Sequence, residues 1–257
     1  MDNQQKWVAF VTIVRREVRR FMRIWPQTLV PPVITIVLYF VIFGKLIGSR
    51  IGEMSALPYI QFVAPGLIMM SVITNSYSNV VSSFFGSKFQ RNIEELLVSP
   101  TPNWIILIGY VVGGMARGLG VGLIVTLLSV YFAQFSLYNL PVTVAIILMT
   151  SLMFSLAGLI NAIFANSFDD ISIIPTFVLT PLIYLGGVFY SIDLLGGFWK
   201  SVSLFNPILY MVNAFRYGMV GITDIDILWS FVMVLFFSLV MFAVALWLLE
   251  KGSRLRS

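Results

Sequence analysis

The chain of 257 residues contains no cysteine and no histidine. These absences exclude disulfides, thiol nucleophiles, imidazole general bases and metal sites built from Cys or His ligands. Charged residues make up only 11% of the chain, and most of its 11 acids fall in predicted loops, so a carboxylate metal cluster is not expected either. We therefore predict no catalytic residue and no metal site in this chain.

The sequence also lacks the GxxxxGK[ST] loop that binds nucleotide phosphates. Gly44-Lys45 comes nearest to it, but Tyr39 stands where the motif requires glycine and Leu46 where it requires Ser or Thr. The chain therefore cannot hydrolyse ATP by that route alone, and any ATP chemistry has to come from a partner.

Apolar residues are abundant, at 59% of the chain, and they concentrate in six long stretches. A helix needs roughly 20 mostly apolar residues to cross the hydrocarbon core of a bilayer. We therefore predict an all-α polytopic membrane protein whose transmembrane domain, residues 26–257, contains six transmembrane helices. The predicted spans are residues 27–48, 61–85, 104–133, 140–164, 171–190 and 226–249.

Positive charges are divided unevenly between the two sides that these spans define. An even number of spans puts both termini on one side of the membrane. That side carries eleven lysine and arginine residues, and the opposite side carries four. Because positive loops favour the cytoplasm, we predict that both termini are cytoplasmic. The eleven are Lys6, Arg15, Arg16, Arg19, Arg20, Arg23, Lys88, Arg91, Lys251, Arg254 and Arg256; the four are Lys45, Arg50, Lys200 and Arg216.

Residues 1–25 predict an amphipathic connecting helix on the cytoplasmic side of the membrane. Its arginines occupy one face and can meet anionic headgroups, so membrane lipids are expected partners and nucleic acid is not. The alternative is that this surface helix also contacts a cytoplasmic partner protein. No small-x-small cleavage site follows, so we expect this segment to be retained. The apolar face consists of Trp7, Phe10, Val11, Val14, Val18, Phe21 and Trp25.

Two spans carry a line of polar side chains at helical spacing. These lines favour either hydrogen bonds between helices or the lining of a translocation pathway, because amides and hydroxyls are costly in lipid. Prolines 175 and 181 interrupt the second line and permit bends there. The pathway candidates are Asn75, Asn79 and Ser82 in span two, and Thr176, Thr180 and Tyr184 in span five.

The third span contains an arginine and a series of glycines. Small residues four apart let helices approach closely, so the glycines favour helix packing, within this chain or with another. Arg117 is a functional candidate as an intramembrane charge, although the span is long enough to place it near one end. The glycines are Gly109, Gly113, Gly114, Gly118 and Gly122.

Two connecting segments are unusual. Residues 86–103, on the predicted cytoplasmic side, read as a short amphipathic helix stopped by Pro100. Residues 193–218, on the far side, read as two short helices broken at Asn206-Pro207. Because the second segment is rich in aromatics, we expect a re-entrant helix pair between spans five and six, with Arg216 near the interface.

Together these segments resemble the ABC-2 family of ATP-binding-cassette transporter permeases. Glu94-Glu-Leu-Leu-Val-Ser-Pro100 is similar to the family's cytoplasmic coupling segment. Leu185-Gly-Gly-Val-Phe-Tyr190, Phe205-Asn-Pro207 and Phe215-Arg-Tyr-Gly218 are similar to its C-terminal hallmark. Span count, topology and the basic N-terminal helix agree, so the resemblance covers nearly the whole chain.

The resemblance implies an assembly of two permease chains, expected to be a homodimer, with two separate P-loop ATPase subunits in the bacterial inner membrane. ATP and Mg²⁺ would bind in the ATPase, and the cavity would lie between spans two and five of both protomers. The coupling residues that it implies are Lys88, Arg91, Glu94, Glu95, Ser99 and Pro100; those of the re-entrant segment are Phe205, Asn206, Pro207 and Arg216.

The leading hypothesis is therefore a permease subunit of an exporter of amphipathic cargo, such as a drug, a lipid or a lipid-linked glycan. An ion-coupled secondary transporter is the alternative, but it ordinarily needs intramembrane acids, and Asp169 and Asp170 lie in a predicted cytoplasmic loop. An intramembrane enzyme is a third class, which the missing histidine and the position of every lysine in a loop disfavour.

Overall fold

The computed structural model describes residues 1–134 and 137–252, in which twelve α-helices follow one another along the chain. The side chain of Lys45 and residues Arg254 and Arg256, which entered the predicted charge asymmetry, lie outside the described part. The α-helices are α1 (Asn3–Arg23), α2 (Trp25–Tyr39), α3 (Gly48–Ile51), α4 (Tyr59–Phe89), α5 (Asn92–Val98), α6 (Asn103–Ala133), α7 (Leu140–Phe164), α8 (Asp170–Ile174), α9 (Thr180–Tyr184), α10 (Gly197–Leu204), α11 (Pro207–Val220) and α12 (Ile227–Lys251).

Shorter helical turns complete these elements. A π-helix, Phe40–Ile47, continues α2 into α3, and a second π-helix, Pro175–Leu179, joins α8 to α9. A 3₁₀ turn, Ile192–Leu194, precedes α10. The fifth predicted span is therefore a continuous helical segment from Asp170 to Tyr184 with a π-helical turn in its middle. Its irregular turn begins at a proline, whose missing N–H removes one hydrogen bond from a regular helix.

Among the described residues, four helices are long and apolar enough to cross a membrane: Trp25–Gly44, α6, α7 and α12. Helix α4, which covers the second predicted span, has the same 31-residue length as α6 but carries several asparagines and serines. The fifth predicted span is a shorter apolar helix. The described chain is thus a helical membrane protein, and the count of six spans stays a prediction.

A small hairpin departs from the predicted all-α fold. Strand β1 (Glu53–Met54) pairs antiparallel with β2 (Leu57–Pro58). Ser55 and Ala56 make the two-residue turn with φ angles of 51° and 62°. Positive φ at both central residues is the geometry that closes a tight hairpin, and it is achieved here without glycine or asparagine, the residues that signal such a turn in a sequence.

Helix α4 is the centre of the core, since it packs against α6, α7 and α11 and most of its side chains are buried. The glycines of α6 allow this proximity. Gly118 lies directly against the side chain of Ser76 of α4, and a Cβ on Gly122 would stand 2.6 Å from Val72. The predicted role of the span-three glycines in helix packing is therefore seen within one chain. A larger residue at Gly118 or Gly122 would push α4 and α6 apart.

Helix α1 packs lengthwise along the first half of α6. Gly109 lies against Ile13 and Gly113 against Glu17, so the same four-residue step along both helices shows that they run in parallel. Ile13 and Glu17 are the buried residues of α1, whereas Trp7 at the start of the predicted apolar face is 65% exposed. The face of α1 that packs is thus offset from the apolar stripe. We call the strip of α6 formed by Gly109 and Gly113 the glycine groove, and α1 approaches α6 closely there.

Candidate functional site

The predicted coupling segment forms a short helix between the ends of α4 and α6. The chain turns at Arg91, whose φ of 62° is left-handed, and α5 then begins at Asn92. Ile93 is buried and anchors α5 to the core. The helix ends at Val98 because Ser99 adopts an extended conformation before Pro100, and the Ser99 hydroxyl donates to the carbonyl of Leu96 at 2.6 Å. This hydrogen bond closes the last turn of α5.

We define the exposed side of this element, Arg91, Glu95 and Val98, as the α5 surface. Arg91 and Glu95 are exposed, Glu94 is half-buried beside them, and Val98 is 81% exposed. Charges of both signs beside an apolar side chain offer a partner protein both ion pairs and a contact that excludes water. The α5 surface is thus chemically suited to docking.

Lys88 takes part in the fold rather than pointing away from it. Its Nζ donates to the carbonyl oxygens of Ile163 at 2.8 Å and Ala165 at 2.7 Å, which are free carbonyls at the end of α7. A lysine at a helix C-terminus neutralises the negative end of the helix dipole. Lys88 therefore ties the end of α4 to the end of α7.

An aromatic cluster adjoins this tie. The rings of Phe85 and Phe89 of α4 lie 5.0 and 5.1 Å from Phe168, in the loop between α7 and α8. Phe89 and Phe168 are 63% and 55% exposed. Apolar rings therefore extend the solvent-facing surface at the end of α4 toward the next loop.

The polar line of span two is largely internal. Asn75 is buried and its amide donates to the carbonyl of Ser71 at 2.9 Å, within the same helix. Asn79 is also buried, and both its backbone and its side-chain oxygen accept from Arg20 at 2.8 Å. Ser82 is exposed and accepts from Arg20 at 3.4 Å. Two of the three candidates therefore bond to α1.

The polar line of span five faces outward. Thr176 and Thr180 are exposed, and the Thr180 hydroxyl donates to the carbonyl of Pro175 at 2.9 Å, which satisfies an acceptor of the irregular turn. Tyr184 is 48% exposed and stacks at 5.7 Å on Phe189. Within the described part of one chain, no hydrogen bond joins this line to that of span two.

The segment 193–218 contains two helices with the expected break. Asn206 caps α11 by accepting from the N–H of Ile208 at 3.0 Å, and its amide donates to the carbonyl of Leu182 at 2.6 Å. Pro207 is the first residue of α11, where its missing N–H is harmless. Phe205 is 84% exposed at the break. Asn206 thereby fastens α11 to α9.

Arg216 lies in the protein interior, where the sequence had suggested an interfacial position. Its guanidinium donates to the carbonyl oxygens of Gly187 at 2.6 Å and Phe62 at 3.3 Å, and it stacks 3.9 Å above the ring of Phe62. No part of Arg216 is exposed. It therefore joins α11, α4 and the segment after α9.

The sequence did not predict a partly buried cluster of charges on the side of α1 that faces α6. Glu17 is 1% exposed and lies 3.2 Å from Arg16 and 3.5 Å from Arg20. Burial lowers the pKa of the Arg20 guanidinium, and the carboxylate of Glu17 opposes that change. The available signal was Glu17 itself, a lone acid among the arginines of α1.

A cavity of about 380 Å³ lies among α7, α12 and the interrupted fifth span. Its walls are almost wholly apolar, and include Phe154, Leu182 and Met241. Tyr77 and Asn161 meet at its edge, where the Asn161 amide donates to the Tyr77 hydroxyl at 2.7 Å. Such a cavity can hold hydrocarbon but offers little to a polar group.

Comparison with known proteins finds relatives that match most of this chain. The family model described as ABC-2 type transporter matches residues 8–220. The chain is 56% identical over 251 residues to the inner membrane transport permease YadH of Escherichia coli (strain K12), covering 98% of both chains. It is also 26% identical over 190 residues to nodulation protein J of Rhizobium leguminosarum bv. viciae, covering 72% of each.

Proposed function

The chain belongs to the ABC-2 type transporter family, and from that membership we propose that it is the permease subunit of an ATP-driven exporter. We expect the chain to have no ATPase activity of its own, because its sequence lacks a phosphate-binding loop. A separate P-loop ATPase would bind ATP and Mg²⁺. The similarity to an inner membrane transport permease supports a bacterial inner-membrane location. The uneven distribution of positive charges supports a topology with both termini in the cytoplasm.

The observation that carries this proposal is the α5 surface. Helix α5 is too short to form a domain, yet Ile93 fixes it in the core and charged and apolar side chains face outward. A helix held between α4 and α6 acts as a lever, since a force on it moves both long helices. Tyr110 of α6 strengthens this connection by donating to Ser87 of α4 at 3.1 Å. Docking of the ATPase at Glu94, Glu95 and Val98 would use that lever.

A homodimer would complete the transport pathway. The outward side of the fifth span is uncovered in one chain, with Phe177 73% exposed beside Thr176 and Thr180. Two copies related by a two-fold axis would bring two such faces together, which favours a pathway between chains. In this account six spans cross the membrane, and α10 and α11 form the re-entrant pair.

The cargo that suits these surfaces is amphipathic. Hydroxyl groups of the fifth span lie beside aromatic rings such as Tyr184 and Phe177, and the cavity nearby is apolar. A drug, a lipid or a lipid-linked glycan combines a polar and an apolar part in this way. Alternating access would move it outward when ATP binding pushes the two α5 helices together.

Isolation of the chain from native membranes in mild detergent tests the proposal. We expect a P-loop ATPase to co-purify, and we expect Glu94→Lys with Glu95→Lys to remove it while the permease still inserts. The matched control reverses two exposed acids elsewhere, Glu53→Lys and Asp193→Lys, and should retain the ATPase.

Two results would contradict the proposal. Normal ATPase binding and stimulation in the Glu94/Glu95 variant would remove the docking assignment. A chain that purifies without any ATPase, and whose transport collapses with an ion gradient at constant ATP, would instead be a secondary transporter.

A further inference from the structure

Arg117 of α6 is a partly buried cation without an anionic partner. Its Nε is buried and has no hydrogen-bond partner among the residues that the structure describes. Within the same part of the chain, no carboxylate forms an ion pair with it. A guanidinium partly removed from water without a partner is costly, so a ligand that supplies negative charge at this position would be favoured.

Further guanidiniums lie beside it on α1. Arg20 is within electrostatic range of Arg117, and Arg16 is within range of Arg20. Among the residues that the structure describes, Glu17 is the one carboxylate paired with this group, and it is already shared by Arg16 and Arg20. Three positive charges therefore face one negative charge, and two remain uncompensated. We call Arg16, Arg20 and Arg117 the arginine trio.

The arginine trio is accessible from outside the bundle. The side chains of Arg16 and Arg20 are 47% and 32% exposed, and Arg117 is half-buried. Arg20 uses one terminal nitrogen to hold Asn79 and the other to reach Ser82, which fixes the position of its guanidinium. This fixed charge is within electrostatic range of both Arg16 and Arg117, whereas Arg15 and Arg19 on the same helix are simply exposed.

The position along the membrane follows from the parallel packing of α1 and α6. Beyond the contacts of Ile13 with Gly109 and Glu17 with Gly113, one further turn along both helices reaches Arg20 and Arg117. Helix α1 ends at Arg23, and the first apolar helix then begins at Trp25, which is 56% exposed. Exposed tryptophan and arginine at the start of a span mark the headgroup level of a bilayer.

We propose that the arginine trio binds the phosphate of an anionic lipid headgroup in the leaflet on the N-terminal side of the protein. Guanidiniums recognise phosphate through paired, charge-assisted hydrogen bonds, which a phosphodiester oxygen pair can accept. The acyl chains of that lipid would lie against the half-buried apolar side chains of α1. Bound lipid would supply the charge that Glu17 alone does not.

Native mass spectrometry of the purified chain in a neutral detergent tests this site. The probe is phosphatidylglycerol, with phosphatidylcholine as the zwitterionic comparison. We expect selective retention of phosphatidylglycerol, and we expect Arg117→Gln to weaken it by about tenfold or more, as loss of a charge-assisted hydrogen bond implies. Arg117→Lys, which keeps the charge, should retain part of the affinity.

Control variants separate this site from general attraction to basic residues. Arg15→Gln and Arg19→Gln remove the same charge from the exposed side of α1 and should leave phosphatidylglycerol binding within about twofold of wild type. Arg16→Gln should weaken it, which keeps the test decisive if Arg117→Gln fails to fold. Equal losses in the Arg15 and Arg117 variants, or no loss in the variants of the trio, would overturn the proposal.

A competition arm distinguishes a lipid headgroup from soluble phosphate. Inorganic phosphate and glycerol phosphate lack acyl chains and should not displace phosphatidylglycerol at equal concentration. Displacement by either at that concentration would show that the trio binds a soluble anion and would overturn the lipid assignment.

Discussion

Glu17 is the residue on which the local electrostatics of α1 depend. Its carboxylate is buried against the glycine groove of α6 and is contacted by Arg16 and Arg20. Through Arg20 it also fixes Asn79 of α4, so one acid connects three helices. A buried acid is tolerated here because two guanidiniums solvate it, and removing it would leave both without that partner.

We expect Glu17→Gln to lower the free energy of unfolding by about 1–3 kcal/mol, a modest value because both arginines remain partly in contact with solvent. The thermal unfolding midpoint in detergent measures this change. Asp193→Asn, which breaks the exposed Lys200–Asp193 pair, is the matched control and should leave the midpoint nearly unchanged. An equal effect of both variants would contradict a special role for burial at Glu17.

At the scale of elements, Lys88 joins the end of α4 to the end of α7 and so relates the α5 surface to the loop before the fifth span. Its two hydrogen bonds satisfy carbonyls that the last turn of α7 leaves free. On the proposed lever mechanism, a motion of α5 would reach α7 as well as α6. This places a residue predicted to contact the ATPase within the lever itself.

Lys88→Met should preserve docking of the ATPase but reduce its stimulation, because Glu95 and Val98 remain for the partner while the end of α7 follows the end of α4 less closely. ATPase activity of the reconstituted complex measures stimulation, and co-purification measures docking. Lys251→Met, at the far end of the chain, serves as the control. Loss of docking in Lys88→Met would show instead that Lys88 contacts the ATPase directly.

The long helices were readable from the sequence, whereas the β1–β2 hairpin and the contacts between the helices were not. Apolar runs predict the long helices, and Asn206-Pro207 predicts the start of α11, because these signals are local. The burial of Arg216 was not predicted, since its acceptors belong to Gly187 and Phe62, which are far away in the chain. The sequence did not predict which face of α1 packs, because an amphipathic stripe does not reveal the glycines of another helix against which that face lies.

At the scale of the molecule, one chain leaves the outer face of the fifth span without a partner. Phe177 is 73% exposed there, and a two-fold axis beside it would pair this face with its own copy. The sequence contains no cysteine, so a single introduced thiol reports unambiguously on proximity. This property of the chain makes the assembly directly testable.

We expect Phe177→Cys to form disulfide-linked dimers on mild oxidation in native membranes, because the two copies of this residue would face each other. Phe236→Cys on α12, where the side chain is 57% exposed, is the control and should stay monomeric. Gel migration without reductant measures the outcome. Cross-linking through Phe236 alone would place the dimer interface on α12.

The central claim, that a separate ATPase docks on the α5 surface, is tested most directly by cross-linking from a single introduced thiol. Val98→Cys on that surface and Phe205→Cys at the break before α11 are exposed to a similar degree, at 81% and 84%. After labelling with a photoreactive thiol reagent in native membranes, we predict that Val98→Cys cross-links to a P-loop ATPase and Phe205→Cys does not. Absence of that cross-link from Val98, or an equal cross-link from both positions, would contradict the account.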